Sequence, residues 1–253
     1  MLKFIKECLI MFKRQNLLMM QNPDAIFVAI IVPSLIMLLF VFVFGGAMDV
    51  GSYEYVNFIT FAIILQASMQ ASSITAISVS KDMTTGMIER FRSMPISKVS
   101  FIIGHVFAGT LRNVISALLM LVVAFIIGFR PTAGYVEWIY ILGIIFLFML
   151  MLSWISAFIG VLVKSQEAAS GIPALLAVLP YLSSGFVPIE SLASGLQPFA
   201  RVQPLTPIVD TLRGVSLGGD IGNTWVIAVI WCVSLIVFFK FLTFAVYTRK
   251  LAV

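Results

Sequence analysis

From Ala25 to the C-terminus the chain is a succession of long apolar runs parted by short polar breaks. A helix of about 20 apolar residues is long enough to cross a bilayer core, and several runs here reach or exceed that length. A soluble domain cannot enclose so much hydrocarbon. Of 253 residues, 61% are hydrophobic and 11% charged, against about 45–50% and about 25% in soluble proteins. The pattern predicts an all-α polytopic membrane protein.

The spacing predicts six spans: about Ala25 to Phe44, Val56 to Ser78, Phe101 to Phe129, Trp138 to Val163, a fifth starting near Ala168, and Trp225 to Tyr247. Pro33 predicts a kink in the first, and Pro173 and Pro180 interrupt the fifth. The second is speckled with Gln66, Ser68, Gln70, Ser72, Ser73 and Thr75, small and hydroxylated residues that suit helix contacts or a substrate path. Residues 1–24 are too short and too charged to span. Phe4, Leu9, Phe12 and Leu17 share one side of a helix that also carries Lys3, Lys6, Lys13 and Arg14, so this segment is expected as an amphipathic interfacial helix, retained because no A-x-A-like cleavage site precedes the first span. Residues 25–253 are expected as the membrane domain. Within it, residues 183–222 are too broken by Pro and Gly to span and too apolar for a free loop. They are expected as an outer re-entrant helical hairpin between spans five and six.

Six spans place both termini on one side. Lys3, Lys6, Lys13, Arg14, Lys81, Arg90, Arg92, Lys98, Lys164, Arg249 and Lys250 fall on that side; only Arg130, Arg201 and Arg213 fall on the other. By the positive-inside rule both termini are cytoplasmic. So is the polar connection between spans two and three, residues 80–98, with Lys81, Asp82, Glu89, Arg90 and Arg92. Met83, Met87, Phe91 and Met94 recur there at i, i+4, i+8 and i+11, one side of a helix that Pro95 stops. Such a helix either rests on lipid headgroups or enters a partner's groove; periodicity alone leaves both open.

Several chemistries are missing. The chain has no GxxxxGK[ST] phosphate loop, no HExxH, no GxSxG and no cluster of His, Cys and carboxylates. Cys8 and Cys232 are its only cysteines and His105 its only histidine. No catalytic residue and no metal site are therefore expected. Gradient-driven carriers usually place a carboxylate inside the membrane, yet all eleven acidic residues fall in loops or at span ends. Arg112 and Lys240 are the intramembrane charges. Each is read as snorkelling to the cytoplasmic interface, with a path role the competing reading for Arg112. A six-span body without a gradient-coupling group or a motor domain must be driven from elsewhere, and the 80–98 connection is what remains to receive that force.

The stretch DMTTGMIERFRSMPISK, followed by a span with Gly and Arg, resembles the D-x-x-x-G-x-x-x-R-x-R-S-x-P-I-S-[RK] pattern of ABC-2-type transporter permeases. Within that family it looks like the subunits of daunorubicin-resistance type. Asp82, Gly86, Arg90, Arg92, Ser93, Pro95, Ile96, Ser97 and Lys98 fill the pattern's places. GFRPTAG after the third span and the segment from Glu167 to Gly214 match in the same order. One departure is Ile59-Thr60-Phe61, where the family often has Pro-Gly at the start of the second span.

The resemblance implies a homodimer of permeases above two copies of a separate ATP-binding subunit. That subunit would hold ATP and magnesium, while this chain carries no cofactor. It implies that Asp82, Met83, Gly86, Met87, Glu89, Arg90, Phe91, Arg92, Ser93 and Pro95 form a coupling helix seated on the ATPase. Gln66, Gln70 and Arg112 are candidates for the translocation path, and Phe186, Pro188 and Phe199 for an outer gate. The setting is a bacterial or archaeal cell membrane, the cargo an amphipathic or hydrophobic drug-like or lipid-like molecule, and no nucleic acid is involved. Two other readings stay open: export of a lipid-linked glycan by the same architecture, and a non-transporting antibiotic-immunity or sensing subunit.

Overall fold

The computed structural model of the chain describes residues 2–21, 23–47, 50, 53–85 and 97–252. Most of the expected coupling helix, including Gly86, Met87, Glu89, Arg90, Phe91, Arg92, Ser93 and Pro95, lies outside the described residues.

Among the described residues all regular structure is helical. Helix α1 (Leu2–Met20) precedes α2 (Pro23–Leu38), which continues as a π-helical segment over Leu39–Phe44 and a 3-10 turn over Gly45–Ala47. Then come α3 (Tyr55–Thr84), α4 (Lys98–Ile127), α5 (Tyr135–Leu162) and α6 (Gln166–Leu176). Short 3-10 turns at Leu179–Leu182 and Ile189–Ser191 lead to α7 (Gln197–Val202), α8 (Leu205–Leu217) and α9 (Thr224–Ala252).

Among the described residues, five helices are long and apolar enough to cross a membrane: α2 with its π-helical extension, α3, α4, α5 and α9. The most polar of them is also the most buried, although α5 and α9 share a mean hydropathy of 2.5 and are 67% and 17% buried. Helix α3 is the least apolar, with mean hydropathy 1.3, yet 72% of it is buried; α9, at 2.5, is 17% buried. The polar residues scattered along α3 sit where protein, not lipid, surrounds the helix. Ile59, Phe61, Ile63 and Leu65 are fully enclosed there. Helix α3 runs unbroken through Ile59-Thr60-Phe61, as expected where Pro-Gly is absent. In α2 the helix also continues through Pro33. The Ser34 hydroxyl donates to the Ile30 carbonyl (2.7 Å), and the irregular geometry comes later, at Leu39–Phe44, instead of at the proline.

The expected fifth span is not a continuous membrane helix. Helix α6 has 11 residues, followed by the 3-10 turn Leu179–Leu182 that contains Pro180. Pro180 has no N–H to donate to the Leu176 carbonyl and its ring crowds that carbonyl, and α6 ends at Leu176, although α2 and α6 continue through Pro33 and Pro173. The broken segment nevertheless follows α3 from end to end. The Ser80 hydroxyl meets the Ser165 carbonyl (3.4 Å), Gln66 Nε2 donates to Tyr181 Oη (2.9 Å), and Tyr55 Oη donates to the Phe186 carbonyl (3.0 Å).

Close helix contacts rest on glycine. A Cβ on Gly160 would lie 2.5 Å from the Ala76 carbonyl oxygen and 2.7 Å from Val79 Cβ, and one on Gly104 would collide with Met11 of α1. These contacts seat α5 on α3 and α1 on α4. Lys250 Nζ donates to the carbonyls of Val161 (2.6 Å) and Leu162 (3.2 Å). Hence α1, the ends of α3 and α5, the start of α4 and the C-terminal turn of α9 gather at one end of the bundle. At the other end the amides of Thr132 and Ala133 donate to the Ser216 carbonyl (2.9 and 3.2 Å).

Gly160→Leu is expected to destabilise the α3–α5 contact by about 1–3 kcal/mol. Gly143→Leu, at a helical glycine where an added Cβ would meet no atom within 4 Å, serves as control. Thermal unfolding of the detergent-solubilised protein checks this: only the first variant should lower the midpoint.

Candidate functional site

The residues that flank 86–96 are tied to α1. One side of α1 carries Glu7, Met11, Arg14 and Gln15 at helical spacing, and Met11 and Gln15 are buried. The apolar stripe expected to define the helix points outward: Leu9 is 59% and Leu17 51% exposed. So α1 turns hydrocarbon outward, as an interfacial helix does, and a polar edge toward the bundle.

That edge grips Asp82. Arg14 Nη1 and Nη2 donate to Asp82 Oδ2 and Oδ1 (2.6 and 2.9 Å), the bidentate geometry in which guanidinium and carboxylate pair most strongly. The Asp82 hydrogen bond raises the Arg14 pKa above its ordinary value. Gln15 Nε2 donates to Asp82 Oδ2 (3.3 Å), and the Ser78 hydroxyl donates to Gln15 Oε1 (2.8 Å). From α4, His105 Nε2 lies 3.2 Å from Asp82 Oδ2 and 3.1 Å from Gln15 Nε2. The His105 ring packs on Phe101 (4.6 Å between centroids), which stacks on Tyr247 of α9 (5.7 Å). At the far flank Glu7 Oε2 accepts from the Ser97 amide (2.9 Å), at the N-cap of α4. One helix therefore holds both the entry to and the exit from residues 86–96. Asp82 itself is 6% exposed and turned into the chain, while Met83 packs beside the cluster of Phe101 and Tyr247.

The candidate path residues do not form one group. Gln66 is buried and bonded to Tyr181, and Gln70 is half-buried. Arg112 is 6% exposed near the midpoint of α4, with Nη1 donating to Thr75 Oγ1 (3.2 Å). It does not snorkel. Lys240 is exposed on α9. Gln66 and Thr75 are nine residues apart on α3, about 13 Å, so Gln66 and Arg112 lie at different depths.

Of the candidate gate residues, Phe186 is in the core, stacked on Tyr181 (4.4 Å) and near Phe40 (5.0 Å). Pro188 is half-buried and Phe199 is 46% exposed on α7; they do not meet as one cluster. The residue that fastens this region is Arg213, which sequence reasoning counted only as an outer charge and a motif position. It is 9% exposed. Its Nε donates to the Phe58 carbonyl (3.0 Å), Nη2 to the carbonyls of Ser184 (2.7 Å) and Gly185 (3.2 Å), and Nη1 to Asp210 Oδ1 (3.2 Å). The Ser184 hydroxyl also donates to Asp210 (2.6 Å), and the guanidinium lies 3.6 Å over the Phe58 ring. The signal was present in LTPIVDTLRG: an Asp and an Arg three residues apart in an otherwise apolar helix.

Among the described residues no three of His, Cys, Asp and Glu come together as a metal ion would require. The sequence profile of the ABC-2 type transporter family matches residues 6–217, which include α1, the grip on Asp82 and the Arg213 clasp. The daunorubicin resistance ABC transporter permease protein DrrB1 of Streptomyces coeruleorubidus is 26% identical over 224 residues, 87% of this chain and 78% of that protein. The probable doxorubicin resistance ABC transporter permease protein DrrC of Mycobacterium tuberculosis is 23% identical over 214 residues, 83% of this chain and 76% of that protein.

Arg14→Ala and Asp82→Ala are each expected to loosen α1, with a coupling between them of roughly 1–3 kcal/mol in a double-mutant cycle. Tryptic cleavage of α1 at Lys13 measures the loosening. Strictly additive effects would mean that the pair does not hold the helix.

Proposed function

Because the chain belongs to the ABC-2 type transporter family, we propose that it is the permease of an ATP-driven exporter that moves an amphipathic or hydrophobic small molecule out of the cytoplasm. ATP and magnesium bind a separate subunit, two copies of which serve a homodimer of this chain. The observation that carries this reading is the hold on residues 86–96 from both sides, through Arg14–Asp82 and Glu7–Ser97. A lever that passes force into a membrane bundle needs stiff mountings, and these link it to α1, α3 and α4 together. ATP-driven closure of the partner subunits then moves the mountings as a rigid body.

The same reading takes residues 1–24 as the interfacial helix, 25–253 as the membrane domain and both termini as cytoplasmic. The broken segment from Ser165 to Phe186 is the fifth of six crossings, supported by contacts that follow α3 from Ser80 to Tyr55. Non-helical backbone at that depth is tolerable where it is buried in protein, as Pro180, Ser183 and Phe186 are. Residues 183–222 form the outer hairpin, held by Arg213. The names of the relatives, which refer to daunorubicin and doxorubicin resistance, support a drug-like cargo.

Arg90→Glu combined with Phe91→Ala tests the coupling assignment. Co-purification with the ATP-binding subunit and ATP-dependent transport in proteoliposomes should fall by about tenfold or more, as expected for loss of an anchor and a charge contact. Assembly and transport at the parent level would overturn it.

A further inference from the structure

Among the described residues, three arginines are enclosed or partly enclosed in the bundle, and two are fully provided for. Arg14 has the Asp82 carboxylate, and Arg213 has Asp210 with three carbonyls. Arg112 differs. It is 6% exposed at the middle of a membrane-spanning helix, and its only hydrogen bond among the described residues is to Thr75. None of the ion pairs among the described residues includes it. Its Nε–H is buried without an acceptor, and so is the hydroxyl of Ser116 one turn further on the same side of α4. A cation inside a membrane without a counter-charge is costly, and such residues commonly mark a ligand or ion pathway. Two neighbouring donors without acceptors call for an acceptor from outside the chain.

Both side chains line a cavity of about 20 Å³ whose other walls are Met19, Ile30, Ala71, Ile74, Ile115 and Leu119. That volume takes a single water-sized group, such as one oxygen of an acid. Ile115 and Leu119, 37% and 38% exposed, form its outer rim. Helix α2, which supplies Ile30, has only 11% of its span buried, so little packing opposes its displacement as a larger head enters.

We propose that Arg112 and Ser116 receive the acid group, carboxylate or phosphate, of a chain amphiphile whose hydrocarbon lies along Ile30, Ile115 and Leu119. This deepens the exporter reading and rests on it: the site favours an acidic cargo over an amine of equal hydrophobicity, because an ammonium group would meet the Arg112 cation.

The purified full chain in nanodiscs of phosphatidylcholine tests this with labelled dodecanoate, dodecylamine and dodecanol. Dodecanoate should bind saturably and about tenfold more tightly than either other probe, a difference of about 1.4 kcal/mol. Arg112→Gln should abolish the preference and Arg112→Lys should keep the acid-over-amine order. Ile115→Trp, which fills the mouth and leaves the charge intact, should weaken dodecanoate binding. Competition by added phosphatidylglycerol would identify a membrane lipid as the source of the acid; no competition would identify a free amphiphile. Equal binding of the three probes, or a preference unchanged in Arg112→Gln, overturns the proposal. The assay needs no nucleotide, so the two readings fail separately. A chain that prefers the acid yet supports no ATP-driven transport breaks the exporter reading. One that transports amphiphiles regardless of head group breaks only this inference.

Discussion

A carboxylate enclosed at the end of a membrane helix has to be met by a cation and by donors, because leaving it unpaired is strongly destabilising. Asp82 is met by Arg14 and Gln15 from α1 and by His105 from α4. That single requirement decides where α1 lies, brings its polar edge inward and leaves Leu9 and Leu17 facing outward. It also orients His105, whose ring carries the contact on through Phe101 to Tyr247 of the last helix. Four helices thus share one ionic centre at one end of the bundle.

The opposite end repeats the arrangement with the charges exchanged: there a buried arginine, Arg213, is the hub. It joins Asp210 in α8, the Ser184–Gly185 turn and the Phe58 carbonyl near the start of α3. Both hubs act on α3, a 30-residue helix about 45 Å long and the most enclosed of the membrane helices. A helix packed on all sides and clamped at both ends transmits displacement better than it absorbs it. Around it, α2 and α9 are mostly exposed, which suits elements that meet lipid or another copy of the chain.

Much of this was legible from the sequence, because the physics involved is local. Apolar run length placed all five of the long apolar helices, and between Ser183 and Gly222, rich in Pro and Gly, no helix is longer than the 13 residues of α8. Gly128, the first residue of GFRPTAG, ends α4 with a φ of +125°. The misses have physical reasons. The fifth run has the length and apolarity of a span, but its helix ends at Leu176, where Pro180 can neither donate to the carbonyl nor leave it room. The stripe of Leu9 and Leu17 faces outward, but the inward side of α1, with Met11, Arg14 and Gln15, was not singled out, because its partners lie on α3 and α4, far away in sequence. The pairings of Asp82 with Arg14 and of Phe58 with Arg213 join residues 68 and 155 positions apart, and no single-sequence periodicity reports such distances. Arg112 was legible as an intramembrane charge, but only the fold shows that its stem is too deep and too enclosed to snorkel.

On this account the polypeptide moves cargo without consuming nucleotide itself. The most direct measurement is reconstitution of the purified chain in liposomes, with and without its ATP-binding subunit, followed by ATP-dependent movement of a fluorescent amphiphile. Movement only when both proteins and ATP are present is the predicted result. Full, sustained uphill movement by the chain alone would contradict it.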